Sequence, residues 1–148
     1  MISLLIATAT ALLVKRTSMD CGNAPYCGVL VLERGDHAQP AVHGLWPEDG
    51  NYGNSQCVSP AHGVCAANDP TTFFDAVCQL SAAPLKLMAQ LKAKGQSLAT
   101  MANGLVKAGY PVYNRNAGND QLELSVCAGS DGVWRLASTS KFDSLCGF

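Results

Sequence analysis

The chain has 148 residues, of which 48% are apolar and 14% charged; this excludes a disordered charge-rich segment and allows one domain with a buried core. A formal net charge of −1 excludes the broad basic footprint of a duplex-binding protein, so any contact with nucleic acid must be local. Seven cysteines, scattered and without a C-x-x-C pair, exclude a zinc ribbon and favour disulfides made in an oxidising compartment.

In chain order, "MISLLIATATALLVKR" opens with an apolar run from Ile2 to Val14. Ala9-Thr10-Ala11 has the small-x-small form of a signal cleavage site, although no Lys or Arg precedes the run. The run is too short to span a bilayer. It reads as a leader over residues 1–16, with Lys15-Arg16 as a dibasic processing site or a solvated pair. The mature domain would then cover 17–148, secreted or in the secretory lumen, a monomer without a membrane anchor. A β-strand is the alternative, since Thr8, Thr10 and Val14 favour strands.

Residues 17–27 read as a cysteine-bearing loop. "GVLVLERGD" predicts a strand and a turn, and "PAVHGLWP" a short strand that ends in a turn at Gly44 and Pro47. Residues 48–69 are rich in Gly, Asn, Ser and Pro and read as loop. Asp69-Pro70 predicts an N-cap and first helical position. The helix "TTFFDAVCQL" then sets Phe73, Phe74, Val77, Cys78 and Leu80 mostly on one face, with Cys78 as a buried free thiol. A second helix is predicted over Pro84 to Lys94 and a third from Ser97 to a C-cap at Ala108-Gly109. "QLELSVCA" alternates as a strand, with "GVWRLAST" as its antiparallel partner across "GSDG". Strands, then helices, then strands predict an α+β domain with an antiparallel sheet and packed helices, stabilised by disulfides.

Three histidines occur: His37 in a polar turn, His43 in "HGLWP" and His62 in "HGVC". His43 and His62 each precede a glycine, where the backbone bends. A histidine pair is what cleavage of an RNA phosphodiester at the ribose 2′-OH requires. One neutral imidazole takes the 2′-OH proton and one imidazolium protonates the departing 5′-oxygen, with no metal or other cofactor. Asp49, Asn51 and Tyr52 follow as loop residues able to touch phosphate or base.

"HGLWP" resembles the first catalytic segment of the ribonuclease T2 family, and "HGVC" the end of its second segment, H-E-W-x-K-H-G-T-C. "TTFFDAVCQL", "GLVKAGYPVYN" and "LELSVC" are similar to later elements of that family, so the resemblance covers most of residues 21–148. It implies a ribonuclease T2-like fold, with His43 as general acid, His62 as general base and Trp46 lining the substrate site. It also implies that Cys57 pairs with Cys65 and Cys127 with Cys146; Cys21 and Cys27 complete the disulfide candidates. The expected activity is metal-independent endonucleolytic cleavage of single-stranded RNA through a 2′,3′-cyclic phosphate.

The chain departs from that pattern. Aligned back from His62, the family's Lys falls on Ala61, its Trp on Ser59, its Glu on Val58 and its first His on Cys57. One lost preorganised donor costs about 10²–10³ in rate. Lys141, Arg34 and Arg115 are the cations available as substitutes. The erosion supports a rival reading, a catalytically impaired ribonuclease scaffold that acts as a secreted RNA- or protein-binding module. A third reading is a small disulfide-rich domain in which "HGLWP" is fortuitous.

Overall fold

The computed structural model describes residues 19–36, 38–48 and 70–147. Five strands form one antiparallel sheet: β1 (Tyr26–Glu33), β2 (Ala41–Glu48), β3 (Val112–Asn116), β4 (Gln121–Ala128) and β5 (Trp134–Leu136). The order is β2-β1-β4-β3, and β5 follows β3 along the same edge of β4. The helices among the described residues are α1 (Pro70–Ala93), α2 (Leu98–Lys107) and the short α3 (Phe142–Cys146), which a 3₁₀ turn over Thr139–Lys141 precedes. The α+β class and the antiparallel sheet are thus present.

β1 and β4 lie side by side, flanked by other strands, and alternate apolar residues on both faces. Leu30 and Leu32 of β1, with Leu122, Leu124 and Val126 of β4, face α1 and α2. They meet Phe73, Val77 and Met88 of α1 and Leu98, Met101 and Leu105 of α2. Cys27, Val29 and Val31 of β1 and Cys127 of β4 point the other way. There they pack with Met19, Ala24, Ala137, Phe142 and Cys146. Two disulfides bind that second layer: Cys21 to Cys27, six residues apart, and Cys127 to Cys146, the two cysteines that the resemblance pairs. Cys57 and Cys65 lie outside the described residues.

Ser125 marks the point where β3 gives way to β5. Its N–H donates to Pro111 O at 2.9 Å and its carbonyl accepts from Ala137 N at 3.2 Å. Its buried hydroxyl donates to Ala137 O at 2.6 Å. At the other end of the sheet, Lys92 Nζ donates to the carbonyls of Arg34 and Gly35, both at 2.7 Å, and so ties the last turn of α1 to the exit of β1. Arg34 in turn pairs with Asp120 at 2.9 Å.

Several expectations are corrected. The first two predicted helices are one, because α1 runs through Pro84 without ending. A proline inside a helix costs about 3 kcal/mol for the lost donor and the ring clash. Here the ring lies on the buried stripe Phe73, Val77, Ser81, Pro84 and Met88, and packing on both sides of it offsets that cost. The same stripe explains a second correction. Phe74 is 62% exposed and Cys78 is an exposed free thiol, not a buried one. One residue on from Phe73 and Val77 rotates a side chain by about 100°, away from the sheet. The third helix forms as predicted: Ser97 caps α2 by accepting from Thr100 N at 3.2 Å, and Gly109 leaves it at φ 88°. β3 was not predicted as a strand.

Candidate functional site

Among the described residues β2 is an outer strand of the sheet, and it carries "HGLWP". The predicted turn at Gly44 and Pro47 is absent: the strand continues through both. Pro47 is tolerated because an outer strand has one side without a ladder partner. Gly44 serves a different feature. Val31 of β1 is opposite Gly44, but Leu32 is opposite Val42, so His43 is an extra residue in β2. That insertion is a β-bulge, a feature found at sheet edges and next to active sites, where it re-aims a side chain.

The bulge answers why a histidine and a tryptophan stand three apart. In a regular strand, residues separated by three point to opposite faces. One extra residue reverses that parity. Val42 and Leu45 both join the helix-facing core, while Trp46 packs against the other layer. His43 and Trp46 come to one face, their rings stacked with centroids 5.9 Å apart and planes 20° apart. His43 remains exposed and Trp46 is partly buried. The tryptophan is held from below, since Trp46 is opposite Val29 in the β1–β2 ladder. Gly28 permits that close approach: a Cβ on it would stand 2.9 Å from Pro47 Cα.

The register places further groups on this face. Val31 is opposite Glu123 of β4, and Glu123 is opposite Asn114 of β3. Asn114 Nδ2 donates to Glu123 Oε2 at 3.1 Å, so both side chains share a side. By alternation from Val31, Glu33 faces the same way. The disulfide-bound layer covers the Cys27–Cys127 end of the face. His43, Glu33, Glu123 and Asn114 belong to the other end.

Sequence reasoning picked out His43 and Trp46, and the structure brings them together. His62 lies outside the described residues, as do His37, Asp49, Asn51 and Tyr52. Of the substitute cations, Arg34 is engaged by Asp120, and Lys141 precedes α3. Arg115 is opposite Leu122 and so takes the helix-facing side. Glu123 and Asn114 were missed. The period-2 pattern of "QLELSVC" does set Glu123 off the leucine face, but only the register shows what it meets. Among the described residues no group of three or more His, Cys, Asp or Glu is arranged to hold a metal ion, and no helix is long and apolar enough to cross a membrane.

Comparison with known protein families finds no family that matches the chain, and no curated protein or solved structure is significantly similar to it.

Proposed function

We propose that the chain is a secreted, metal-independent endoribonuclease, similar to the ribonuclease T2 family and reduced in size. The observation that carries this reading is the bulge in β2, which sets an exposed imidazole on a partly buried indole on one sheet face. His43, as imidazolium, donates its proton to the departing 5′-oxygen. His62, as neutral imidazole, takes the proton of the 2′-OH. The 2′-oxygen attacks phosphorus, the P–O5′ bond breaks, and the products are a 2′,3′-cyclic phosphate and a free 5′-OH. Trp46 holds the His43 ring in place and offers an aromatic surface for an unstacked base, which favours single-stranded RNA. The two disulfides support an oxidising destination.

The test is cleavage of RNA by the oxidised, leader-free protein in chelator at pH 5–7, beside His43→Ala and His62→Ala. The expected result is cyclic-phosphate ends, lost in both variants, with an optimum in mildly acidic solution because one imidazole must be charged and the other neutral. Activity that climbs steadily above pH 8 would contradict the two-histidine scheme. A folded wild type that leaves RNA intact would sink the catalytic reading and favour the binding module, for which the residues at Val58 and Ala61 speak.

A further inference from the structure

Cys27 and Cys127 are direct partners in the β1–β4 ladder, yet each is bonded elsewhere, Cys27 to Cys21 and Cys127 to Cys146. Their side chains lie on one face, in the second core layer. The ladder also fixes their spacing. Arg34 N donates to Asp120 O at 3.0 Å, one step beyond the Glu33–Gln121 pair, so Arg34 and Asp120 occupy a hydrogen-bonded position. Hydrogen-bonded and non-hydrogen-bonded positions alternate along an antiparallel pair. Cys27 lies an odd number of residues before Arg34, so Cys27 and Cys127 occupy a non-hydrogen-bonded position. Ser125, at a position of the same kind opposite Val29, agrees: its N–H and carbonyl turn away from β1, to Pro111 and Ala137. Partners at such a position stand about 4.5 Å apart between Cα atoms, inside the range that a disulfide spans. The two central strands therefore admit another bond, Cys27–Cys127, which competes with the two already present.

The segments at the far ends of the two bonds are small. Cys21 belongs to the loop before β1 and Cys146 to the short helix α3. Asn23 N donates to Asp143 Oδ1 at 2.7 Å, so that loop and that helix are joined to each other. Cys27, Cys127 and Cys146 have no exposed surface, whereas Cys21 is partly exposed. A small thiol therefore reaches the cluster at Cys21. Its thiolate attacks Cys21 Sγ; a mixed disulfide forms there, the Cys21–Cys27 bond breaks, and Cys27 Sγ leaves as thiolate. Cys27 Sγ then attacks Cys127 Sγ. The Cys27–Cys127 bond forms, the Cys127–Cys146 bond breaks, and Cys146 leaves as thiolate and takes a proton. A second thiol attacks the external sulfur of the mixed disulfide and frees Cys21 as a thiol. The external thiols are oxidised to their disulfide, and the protein exchanges its two bonds for one bond and two thiols. Exchange of this kind runs by thiolate attack on a disulfide sulfur. The sheet holds Cys27 beside Cys127, so the internal step has a proximity that no dissolved thiol has.

We infer that these four cysteines form a redox-sensitive switch: a small thiol of the glutathione class, entering at Cys21, moves the bridge onto Cys27–Cys127 and releases the loop before β1 and α3 from the sheet while the β1–β4 ladder stays paired. The switch rests on the cysteine positions and stands with or without the RNA-cleaving reading. The test treats the oxidised protein with glutathione in native buffer, then alkylates it and maps its tryptic peptides. It is made with Cys78→Ser, so that the exposed thiol of α1 takes no part. Trypsin leaves Cys21 and Cys27 together in the peptide that ends at Arg34, Cys127 in the one that ends at Arg135, and Cys146 in the one that follows Lys141. The starting protein links the last two. The switched protein is expected to link the first two, with Cys21 and Cys146 alkylated. Cys27→Ser, which removes the attacking sulfur, should slow loss of the Cys127–Cys146 bond about tenfold or more. Cys21→Ser should reach the switched linkage with no added thiol. Trp46 packs against the released layer and Trp134 against the other, so indole emission should shift to the red while circular dichroism is kept. Alkylation of Cys27 and Cys127 together, a switched linkage found only in denaturant, equal loss of the Cys127–Cys146 bond in Cys27→Ser, or a switched linkage with unchanged emission overturns the switch.

Discussion

The two faces of the sheet are built by different means. The face toward α1 and α2 is a continuous apolar layer in which Leu30, Leu32, Leu122 and Leu124 have no exposed surface. Helices 24 and 10 residues long cover it, and buried apolar area is the main term that holds it closed, with Lys92 tying the end of α1 to β1. The opposite face is covered over one end by short segments too small to stay docked through burial alone. Cys21–Cys27 and Cys127–Cys146 fasten them. At the other end the polar side chains His43, Glu33, Glu123 and Asn114 stand on β2, β1, β4 and β3 in turn. One face thus supplies the rigidity that the other needs to hold side chains in fixed positions. The β-strand period lets a single strand serve both, since alternate residues of β1 and β4 never compete for the same side.

This division of labour predicts an order of sensitivities. The largest effect is expected on the helix-facing side: Leu30→Ala should lower unfolding free energy by about 2–5 kcal/mol in urea titration, through lost burial and a residual cavity. A loss below 1 kcal/mol would mean that this layer is not the one that holds the fold. Next comes the opposite face. Replacing Cys127 and Cys146 together by alanine should cost about 3 kcal/mol, as expected for a loop of this length, and should loosen α3 before the helices α1 and α2, visible as faster amide exchange around Phe142. Uniform exchange throughout would show that the disulfide is not local in its action.

A smaller change joins the two faces. Gly28→Ala forces a methyl group against the backbone at Trp46 and Pro47 and should destabilise by about 1–3 kcal/mol. It should also disturb the His43–Trp46 stack, read as a change in Trp fluorescence that Leu30→Ala does not produce in the folded state. The smallest effect lies at the turn between β4 and β5. Arg135 donates to Asp131 at 2.7 Å, and this hydrogen bond, with one from Val133 N at 3.0 Å, holds the Asp131 carboxyl below its ordinary value. A carboxyl with a lowered folded pKa stabilises at pH above its unfolded value of 3.8, and that contribution fades as pH falls through the folded value. Asp131→Asn should therefore narrow the stability gap from wild type only below about pH 4, and by little, because the pair is solvent-exposed. A gap that widens in acid would reverse the assignment.

Much of this was legible along the chain. β1 and β4 follow from β-branched and leucine alternation, α2 from Ser97 and Gly109, and the α+β class from the order of elements. The resemblance through "HGLWP" and "LELSVC" singled out His43, Trp46 and the Cys127–Cys146 pair. β3 was not legible, because "VYNRN" is polar and becomes a strand by pairing with β4 rather than by its own pattern. The continuity of α1 through Pro84 was not legible either, since a local rule stops a helix there and only the packed stripe overrules it.

The sequence by itself determined which residues are apolar at strand or helix spacing, and hence β1, β4, α2 and the side chains that carry chemistry. Tertiary structure alone decided what those side chains meet. The reason is parity. Whether His43 and Trp46 share a face depends on one inserted residue, and an insertion exists only relative to the strand beside it. Local periodicity reads three residues as opposite faces; the register with β1 makes them one.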